Sequence, residues 1–368
     1  MVPPACPQRT RGSPPVPATI GPDKMASCLE LWTLQPVRWK SHSLGDGPDD
    51  GVRGWMNGEV SISVVIPACN VEATLARALD SVLAQTRPPD EIIVVDDAST
   101  DCTVRLAKSY ADQGVSLLRV RERRGAAAAR NIGIAAAKGQ WIAFLDADDE
   151  WLSAKLEKQA AAISANPEAP FVFCASEEFS SEGQSLGDTF RGWPITVGSG
   201  AWKALLACNF VATPTVVARR ALLLQLGSFD ETLKVAEDQD MWIRLTLAGS
   251  PVYVPESLAR VHVQPDSLSS WNLADQHAHT LPMIQRHLNS LQSTLSRSEA
   301  RAIMGARLNK IGLTACAQGD LAQGVAMILR SAFLGYRPLR SLGMLPKVIL
   351  GASLRKRRIF RRRHRKAA

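Results

Sequence analysis

The chain has 368 residues, a formal net charge of +8 and a hydrophobic content of 46%, which is enough apolar sequence for one large domain with a packed core and an accessory region. No run approaches the roughly 18 uninterrupted apolar residues that a membrane-spanning helix needs, and the first residues lack the apolar segment of a secretory signal. The seven cysteines are scattered and odd in number, without a C-x-x-C pair, which favours reduced thiols in a cytosolic protein.

The positive charge is concentrated at the C-terminus. Nine of the 43 lysines and arginines lie between Arg355 and Lys366, so the rest of the chain has 34 basic against 35 acidic residues. A basic tail of this kind can bind an anionic membrane surface or nucleic acid. Phe360 is the single aromatic residue among these charges, so we expect no nucleic-acid partner.

Four regions are predicted along the chain. Residues 1–58 hold nine of the 22 prolines without clear periodicity, and we expect them to be disordered. We hypothesise that Met56 is the natural start, which N-terminal sequencing of the natural protein would test. A predicted α/β domain of residues 59–270 is followed by a helical region of residues 271–354 and by a polybasic tail of residues 355–368.

The first half of the predicted domain alternates short apolar strands with helices. Short connections between such elements indicate a parallel, doubly wound α/β sheet. The predicted strands are Ser61–Ile66, Glu91–Val95, Val115–Val120 and Trp141–Leu145, and the predicted helices span residues 71–83, about 101–111 and 125–137.

The second half has shorter elements. We predict a loop or flap for the polar, glycine-bearing residues 177–200, and helices with breaks at Gly319 and after Tyr336 for the residues from about 275 to 354. The remaining predicted helices span residues 152–164, 202–208, 221–226 and 239–248, and the predicted strands are Phe171–Ala175, Thr215–Ala218, Val252–Val254 and Leu258–Val263.

An acidic run follows the fourth predicted strand. Asp146 and Asp148 are two residues apart, so their side chains point the same way in extended backbone. Two carboxylates held together repel each other, and a hard divalent cation with oxygen ligands suits such a pair. Because D-x-D alone is a weak signal, a loop with solvated acids is the alternative.

Polar residues also follow the first two strands, in the segments Pro67–Asn70 and Asp96–Asp101. In an open sheet, ligands bind beyond the carboxyl ends of the strands, where acids can accept hydrogen bonds from a ribose or from a base N–H. The alternative for Asp96 and Asp97 is a turn with a helix cap.

Basic residues lie near the predicted start of the third helix. Arg123, Arg124 and Arg130 flank or follow Gly125. Arginines and backbone N–H groups at a helix N-terminus suit a phosphate. The alternative is a solvated helix start.

Three acids, Glu237, Asp238 and Asp240, lie just before or in the first turn of a predicted helix. The helix dipole favours carboxylates there, so capping is one interpretation, and a general base that faces the site is the other. His262 follows a predicted strand, where a lone histidine is more often structural than a ligand.

In order along the chain, these segments resemble the inverting family 2 glycosyltransferases of the GT-A fold. The resemblance covers about residues 61–269 and is carried by SVVIPACN, EIIVVDDASTD, GAAAARNIGIAAAKGQWIAFLDADD, AEDQDMWIRL and RVHVQPDSLS. It implies a Rossmann-like, mostly parallel sheet flanked by helices, with a helical C-terminal region. It also implies transfer of a sugar, with inversion, from a nucleotide-diphosphate sugar (UDP-linked) to an acceptor hydroxyl.

The resemblance implies a donor pocket. Asp97 would contact the uracil or ribose, Pro67 and Asn70 would line the pocket, and Arg130 would belong to the nucleotide-sugar site. Two residues depart from the family pattern. Cys69 replaces the usual aromatic residue, which leaves less to stack on the base, and Ala98 replaces a usual glycine, so that we expect a slightly different turn.

The resemblance also implies a metal site and a catalytic base. Asp146 and Asp148 would form the D-x-D motif that holds the ribose and Mg²⁺ or Mn²⁺. His262 resembles the position that often completes the metal or diphosphate contacts. Asp238 would be the catalytic base, with Glu237 beside it.

Two other classes of protein compete with this interpretation. A nucleotidyltransferase of similar fold needs a glycine- and arginine-rich phosphate loop after the first strand, where this chain has Pro67–Asn70. A catalytically inactive nucleotide-sugar-binding protein would be expected to lose a metal or base carboxylate, whereas Asp146, Asp148 and Asp238 are all present.

We therefore expect a hexosyltransferase-type enzyme of cell-surface polysaccharide synthesis that uses a glycan or a lipid-linked acceptor. Residues 177–200 would close over the donor and exclude water. The helical region and the basic tail would hold a cytoplasmic protein peripherally at the cytoplasmic face of an anionic membrane.

Overall fold

The computed structural model describes residues 60–180, 182–189, 195–263 and 273–336 of the chain. The predictions for residues 1–58 and for the polybasic tail of residues 355–368 lie outside these residues. None of the described helices is long and apolar enough to span a membrane.

Four parallel strands form the first half of the sheet, in the order β3-β2-β1-β4. Their side chains are mostly buried, because helices cover both faces of a parallel sheet. The parallel α/β arrangement predicted for this half of the domain is therefore confirmed. The strands are β1 (Ile62–Ala68), β2 (Glu91–Asp96), β3 (Val115–Arg119) and β4 (Trp141–Phe144).

The helices of this half are α1 (Leu75–Leu83), α2 (Thr103–Lys108), α3 (Ala126–Ala136) and α4 (Lys155–Ala165). α1 begins later than the predicted Val71, because residues 72–74 form a turn and Thr74, which precedes the helix, has a non-helical φ of −122°. α3 packs very closely on β1: a Cβ at Gly133 would lie 2.4 Å from Val65 Cγ1. The small residues of α3 therefore allow the helix backbone to approach the sheet.

The second half of the sheet, for which no strand direction was predicted, is mixed. β8 is antiparallel to both β4 and β6, whereas β6 is parallel to β9 and β5 is antiparallel to β9. Strands as short as β5 and β8 have too few residues for a pattern that reveals their direction. The strands are β5 (Glu150–Trp151), β6 (Phe171–Ser180), β7 (Ser185–Asp188), β8 (Val217–Arg219) and β9 (Val252–Val263).

Two predictions in this half need correction. The predicted flap begins with a strand hairpin, since β6 continues to Ser180 and pairs with β7 across a turn at Gly183, where φ is +78°. The two strands predicted from 252 to 263 are the single strand β9. Its register shifts opposite Ala175, next to Pro255, and this irregularity interrupts the sequence pattern.

Six further helices complete the described fold: α5 (Ala201–Ala207), α6 (Arg220–Gln225), α7 (Glu237–Ala248), α8 (Leu273–Ser290), α9 (Arg297–Gln318) and α10 (Leu321–Phe333). The predicted break at Gly319 is confirmed, with φ at +102°. A second break after Ser290 was not predicted. It ends at Ser296, which forms a capping box with Glu299, so the S-x-x-E pattern was a readable helix-start signal.

Buried side chains form two large clusters, one on each face of the sheet, because alternate residues of a strand point to opposite faces. One cluster is aromatic: the ring centroids of Phe144 and Phe229 lie 5.4 Å apart, and those of Phe171 and Trp242 lie 5.8 Å apart. Side chains of α8 and α9 join this cluster. The C-terminal helices thus share the core of the sheet domain.

Four of the cysteines, Cys69, Cys174, Cys208 and Cys316, are free thiols, as predicted. Three of these thiols, Cys174, Cys208 and Cys316, are buried, and Cys69 is half-buried.

A lysine is fully buried at the start of α4. The Lys155 ammonium donates to Gln159 Oε1 at 2.6 Å and lies 4.0 Å from the centroid of the Trp151 ring. In the part of the chain that the structure describes, no carboxylate lies within ion-pair distance of it. Burial therefore lowers the pKa of Lys155 to about 8.

Replacing this lysine by methionine should change how stability depends on pH. The unfolded chain has the higher lysine pKa and binds more protons between about pH 8 and 10.5, so this group adds stability as the pH rises. Lys155→Met lacks this gain. We expect the free energy of unfolding of Lys155→Met, relative to the parent, to fall by up to roughly 3 kcal/mol between pH 7 and 10.

Urea unfolding at several pH values measures this difference. Lys158→Met, in the same helix but partly exposed beside Glu256, is the matched control, and its difference from the parent should change little with pH. A Lys155→Met difference that is the same at pH 7 and pH 10 would contradict the prediction.

Candidate active site

The predicted site residues lie at one edge of the sheet, where β1, β2 and β4 end. These strands are parallel neighbours, so the segments that follow them emerge side by side. The start of α7 reaches the same place from the second half of the chain, because its Glu237 pairs with Arg130 of α3, which also pairs with Asp146 after β4.

Asp97 holds the turn that leads into α3. Its Oδ1 accepts from the Arg124 N–H at 2.7 Å, and its Oδ2 accepts from the Gly125 N–H at 2.8 Å. The backbone donors proposed for a phosphate at this helix start therefore bind a carboxylate of the chain itself. Each carboxylate oxygen has a second lone pair, and the contact between Asp97 and a nucleotide stays a prediction.

Asn70 lies at the end of β1 and braces the neighbouring turn. Its Oδ1 accepts from the Thr100 N–H at 2.8 Å, and its backbone N–H donates to Ser99 Oγ at 2.9 Å. Ala98 has φ at +56°, which is the left-handed conformation that a glycine adopts freely. The expected difference between this turn and the glycine turn of the family stays a prediction. Pro67 is half-buried within β1.

Arg130 is the centre of the site. Its Nη2 lies 2.8 Å from Asp146 Oδ1 and its Nη1 lies 2.8 Å from Glu237 Oε1, while its side chain is only 6% exposed. Burial alone would lower the pKa of Arg130, but the two carboxylates outweigh it and raise this pKa. One buried cation therefore joins the D-x-D motif to the start of α7. A direct contact of Arg130 with the donor stays a prediction.

The D-x-D segment is rich in poorly neutralised acids. Burial and the negative charge of Asp146 raise the pKa of Asp148 to about 6. Asp149 is buried, and burial raises its pKa well above the usual range. Arg77 of α1 donates to the Asp148 carbonyl oxygen. This excess of negative charge is an arrangement that a cation stabilises, so the residues fit a divalent metal ion.

The described residues contain no group of three or more His, Cys, Asp or Glu side chains that could hold a metal ion by themselves. His262 Nε2 instead lies 3.3 Å from Glu150 Oε1, and the His262 N–H donates to Asp149 Oδ1 at 2.8 Å. Burial and the charge of Arg77 lower the pKa of His262. Its role at a metal stays a prediction.

Asp238 has the properties of a general base. Its Oδ2 accepts from Asn209 Nδ2 at 3.0 Å, and its Oδ1 accepts from the Gln239 N–H at 2.6 Å. Burial and the charge of Glu237 raise the pKa of Asp238 to about 7, which suits proton transfer near neutral pH. Because Arg130 engages the carboxylate of Glu237, Asp238 is the acid of this pair that is better placed to accept a proton.

Asp240, the third acid of this run, anchors the C-terminal region. Its Oδ2 accepts from Arg244, and its Oδ1 accepts from His287 Nε2 at 2.8 Å and from Arg286 at 3.3 Å. Burial would raise the pKa of Asp240, but the hydrogen bond from His287 and the charge of Arg244 lower it to about 2. Asp240 therefore fixes α8 against α7.

Several residues of the site were not predicted. Glu150 was visible as the continuation of the acidic run, and the pairing of β5 with β9 places it beside His262. Arg77 and Asn209 carried no sequence signal, since each is a single polar residue in an ordinary helix or loop. They reach the site only through the packing of α1 and α5 around it.

Comparison with known proteins identifies the family. Residues 63–203 match the family described as Glycosyl transferase family 2. The protein named putative teichuronic acid biosynthesis glycosyltransferase TuaG, from Bacillus subtilis (strain 168), is 31% identical over 220 residues, which cover 58% of this chain and 84% of that protein. The chain belongs to glycosyltransferase family 2. The predicted membership of this family is confirmed.

Another relative of this glycosyltransferase is the Escherichia coli protein named UDP-Glc:alpha-D-GlcNAc-diphosphoundecaprenol beta-1,3-glucosyltransferase WfgD, which is 32% identical over 184 residues, or 50% of this chain and 69% of that protein. Among solved structures, residues 1–349 of S. aureus TarS in complex with UDP superpose with a TM-score of 0.53 at 21% identity, over 78% of this chain and 90% of that one. This likeness confirms the predicted GT-A fold with its helical C-terminal region.

Proposed function

We propose that the chain is an inverting glycosyltransferase that moves a sugar from a UDP-linked donor to a hydroxyl of a glycan or lipid-linked acceptor in cell-surface polysaccharide synthesis. The observation that carries the proposal is the double ion pair of Arg130. It joins Asp146 of the donor-side D-x-D motif to Glu237, which precedes the candidate base Asp238. The names of the relatives TuaG and WfgD support the substrate class.

In this proposal Asp238 performs the chemistry of the acceptor. Its carboxylate takes the proton of the acceptor hydroxyl as the hydroxyl oxygen attacks the anomeric carbon of the sugar. The bond from that carbon to the nucleotide diphosphate breaks on the opposite face, which inverts the configuration. The hydrogen bond from Asn209 orients Asp238, and the ion pair with Arg130 holds Glu237 aside.

Asp146 and Asp148 would hold Mg²⁺ or Mn²⁺ in this proposal. Such ions are often bound in proteins by one or two carboxylates together with substrate phosphates. A site with only two protein carboxylates is therefore compatible with a metal ion that also binds the donor diphosphate. When bound, the ion supplies positive charge that stabilises the leaving diphosphate. The raised pKa of Asp148, caused by burial and by Asp146, supports a cation at this position.

Asp238→Asn tests the base. The amide keeps the size and hydrogen bonding of the side chain but cannot accept the proton, and a positioned base contributes about 10²–10⁴-fold in rate. We expect nearly unchanged affinity for the nucleotide sugar and transfer that is at least about a hundredfold slower. In the parent, kcat/KM should fall as the pH drops below about 7, because Asp238 becomes protonated.

Glu237→Gln is the matched control, and its effect on kcat should be milder. Initial rates and donor dissociation constants are to be measured for both variants. If Glu237→Gln is inactive while Asp238→Asn is fully active, Glu237 is the base and Asp238 is not. If both stay active, the base lies elsewhere.

Asp148→Asn and a chelator test the metal. We expect activity to require a divalent cation and to stop in excess EDTA, because the leaving diphosphate is then left without its counter-charge. Asp148→Asn should lose metal-dependent binding of the donor, measured by calorimetry with and without Mn²⁺. Asp112→Asn, an exposed acid of the same type, should behave as the parent. Full activity in excess EDTA would show that the proposed metal is not needed.

We also propose that the chain attaches to an anionic membrane. The nine lysines and arginines between Arg355 and Lys366 support this, since each basic residue near the surface contributes on the order of 1 kcal/mol. α10 adds apolar side chains: Leu329 is 47% exposed and Phe333 is 83% exposed. The two are four residues apart, so they lie on the same face of the helix.

Deleting residues 354–368 tests the attachment. We expect the parent to co-sediment with vesicles that contain anionic phosphatidylglycerol, and the deletion variant to stay in the supernatant with an unchanged donor affinity. Added salt should weaken the binding of the parent, and vesicles of neutral phosphatidylcholine are the control. Equal sedimentation of the deletion variant would mean that the tail is only a solvated segment.

A further inference from the structure

Helix α9 of the C-terminal region places a buried cation at the end of α5. Arg307 is 5% exposed, its Nε donates to the Leu206 carbonyl at 2.7 Å and its Nη2 donates to the Leu205 carbonyl at 3.1 Å. The last carbonyls of a helix have no partner within that helix and carry partial negative charge. The guanidinium of Arg307 therefore caps α5 from another part of the fold.

The same helix end also receives a donor from α7. Gln239, the residue after Asp238, donates through its Nε2 to the Leu205 carbonyl that Arg307 contacts. Lys310 lies three residues after Arg307 in α9, and its Nζ lies 3.1 Å from Cys208 Sγ. α9 and α7 are therefore both fixed to the last turn of α5.

The end of α5 leads directly to a hydrogen-bond partner of the candidate base. Asn209 donates to Asp238 Oδ2 at 3.0 Å, and its own Oδ1 accepts from the Val211 N–H at 3.2 Å, which sets the orientation of the amide. Any shift of the α5 terminus thus moves Asn209 against Asp238. The negative charge of Asp238 also acts on the Arg307 guanidinium, so the two groups interact electrostatically.

We infer that Arg307 is a positioning residue for the catalytic base, which it acts on through the end of α5 and Asn209. This inference rests on the proposed function, in which Asp238 is the base. It gives α9, which lies beyond the family match of residues 63–203, a part in the reaction. The C-terminal helical region would then contribute to catalysis as well as to attachment.

Arg307→Met and Arg307→Lys test the inference, with Arg301→Met as the matched control. Arg301 is exposed on the same helix and donates only to the Phe333 carbonyl at 3.4 Å among the described contacts. The donor is first chosen from a panel of UDP-, GDP- and dTDP-sugars as the one that raises the melting temperature of the protein most. The assay then measures the hydrolysis of this nucleotide sugar. Arg307→Met should lower kcat at least about tenfold with donor KM within about twofold, because a base that is misplaced by a fraction of an ångström loses rate rather than donor affinity.

The pH profile separates positioning from a general loss of structure. The groups that act on Asp238 are Glu237, Arg130, Asn209 and the Gln239 N–H, and the charge of Asp238 acts in turn on the Arg307 guanidinium. Arg307→Met removes a favourable positive charge, so the acidic limb of kcat should move to higher pH. Arg307→Lys keeps the charge, so the limb should stay in place and most of the rate should return, while Arg301→Met changes neither.

A double-mutant cycle keeps the test decisive if Arg307→Met fails to fold. Because the effect passes through Asn209, Arg307→Lys should cost less in kcat when Asn209 is already alanine. Additive effects of the two substitutions would overturn the inference. A normal kcat and an unshifted acidic limb in Arg307→Met would also overturn it. If Asp238→Asn is inactive in that case, the proposed function still holds. An active Asp238→Asn would instead overturn the proposed base.

Discussion

The buried guanidinium of Arg130 is the interaction on which the arrangement of the site depends. It joins two acids that are 91 positions apart in the chain, Asp146 and Glu237. Removing one partner of a buried ion pair is strongly destabilising, since the other charge then stays buried without compensation. The segment after β4 and the start of α7 can therefore hardly separate while Arg130 is in place.

The charges around Arg130 do not balance, and this imbalance accounts for the unusual acids nearby. Five carboxylates, of Asp146, Asp148, Asp149, Glu237 and Asp238, share few buried cations, so burial and mutual repulsion raise the pKa of Asp148 and of Asp238. Both effects support the proposed mechanism, in which a cation and a diphosphate would bind at the first acid and the second acid would accept a proton near neutral pH.

The sequence predicted those parts of the fold that depend on residues close together in the chain. The apolar strands β1 to β4 and the acids that follow them were readable, because both depend on residues that are adjacent in sequence. The antiparallel direction of β8, the cap that Arg307 forms on α5, and the contact of Asn209 with Asp238 depend on packing between distant segments. No spacing within one segment encodes such contacts.

The position of the Arg130 guanidinium depends on the close packing of α3 on β1. Gly133 is three residues after Arg130, about one turn of the same helix, and its Cα faces Val65 without room for a methyl group. A side chain at 133 would lift the helix from the sheet and carry the guanidinium away from both of its acids. A substitution that only adds bulk at position 133 can therefore inactivate the site although every charged residue of the site is unchanged.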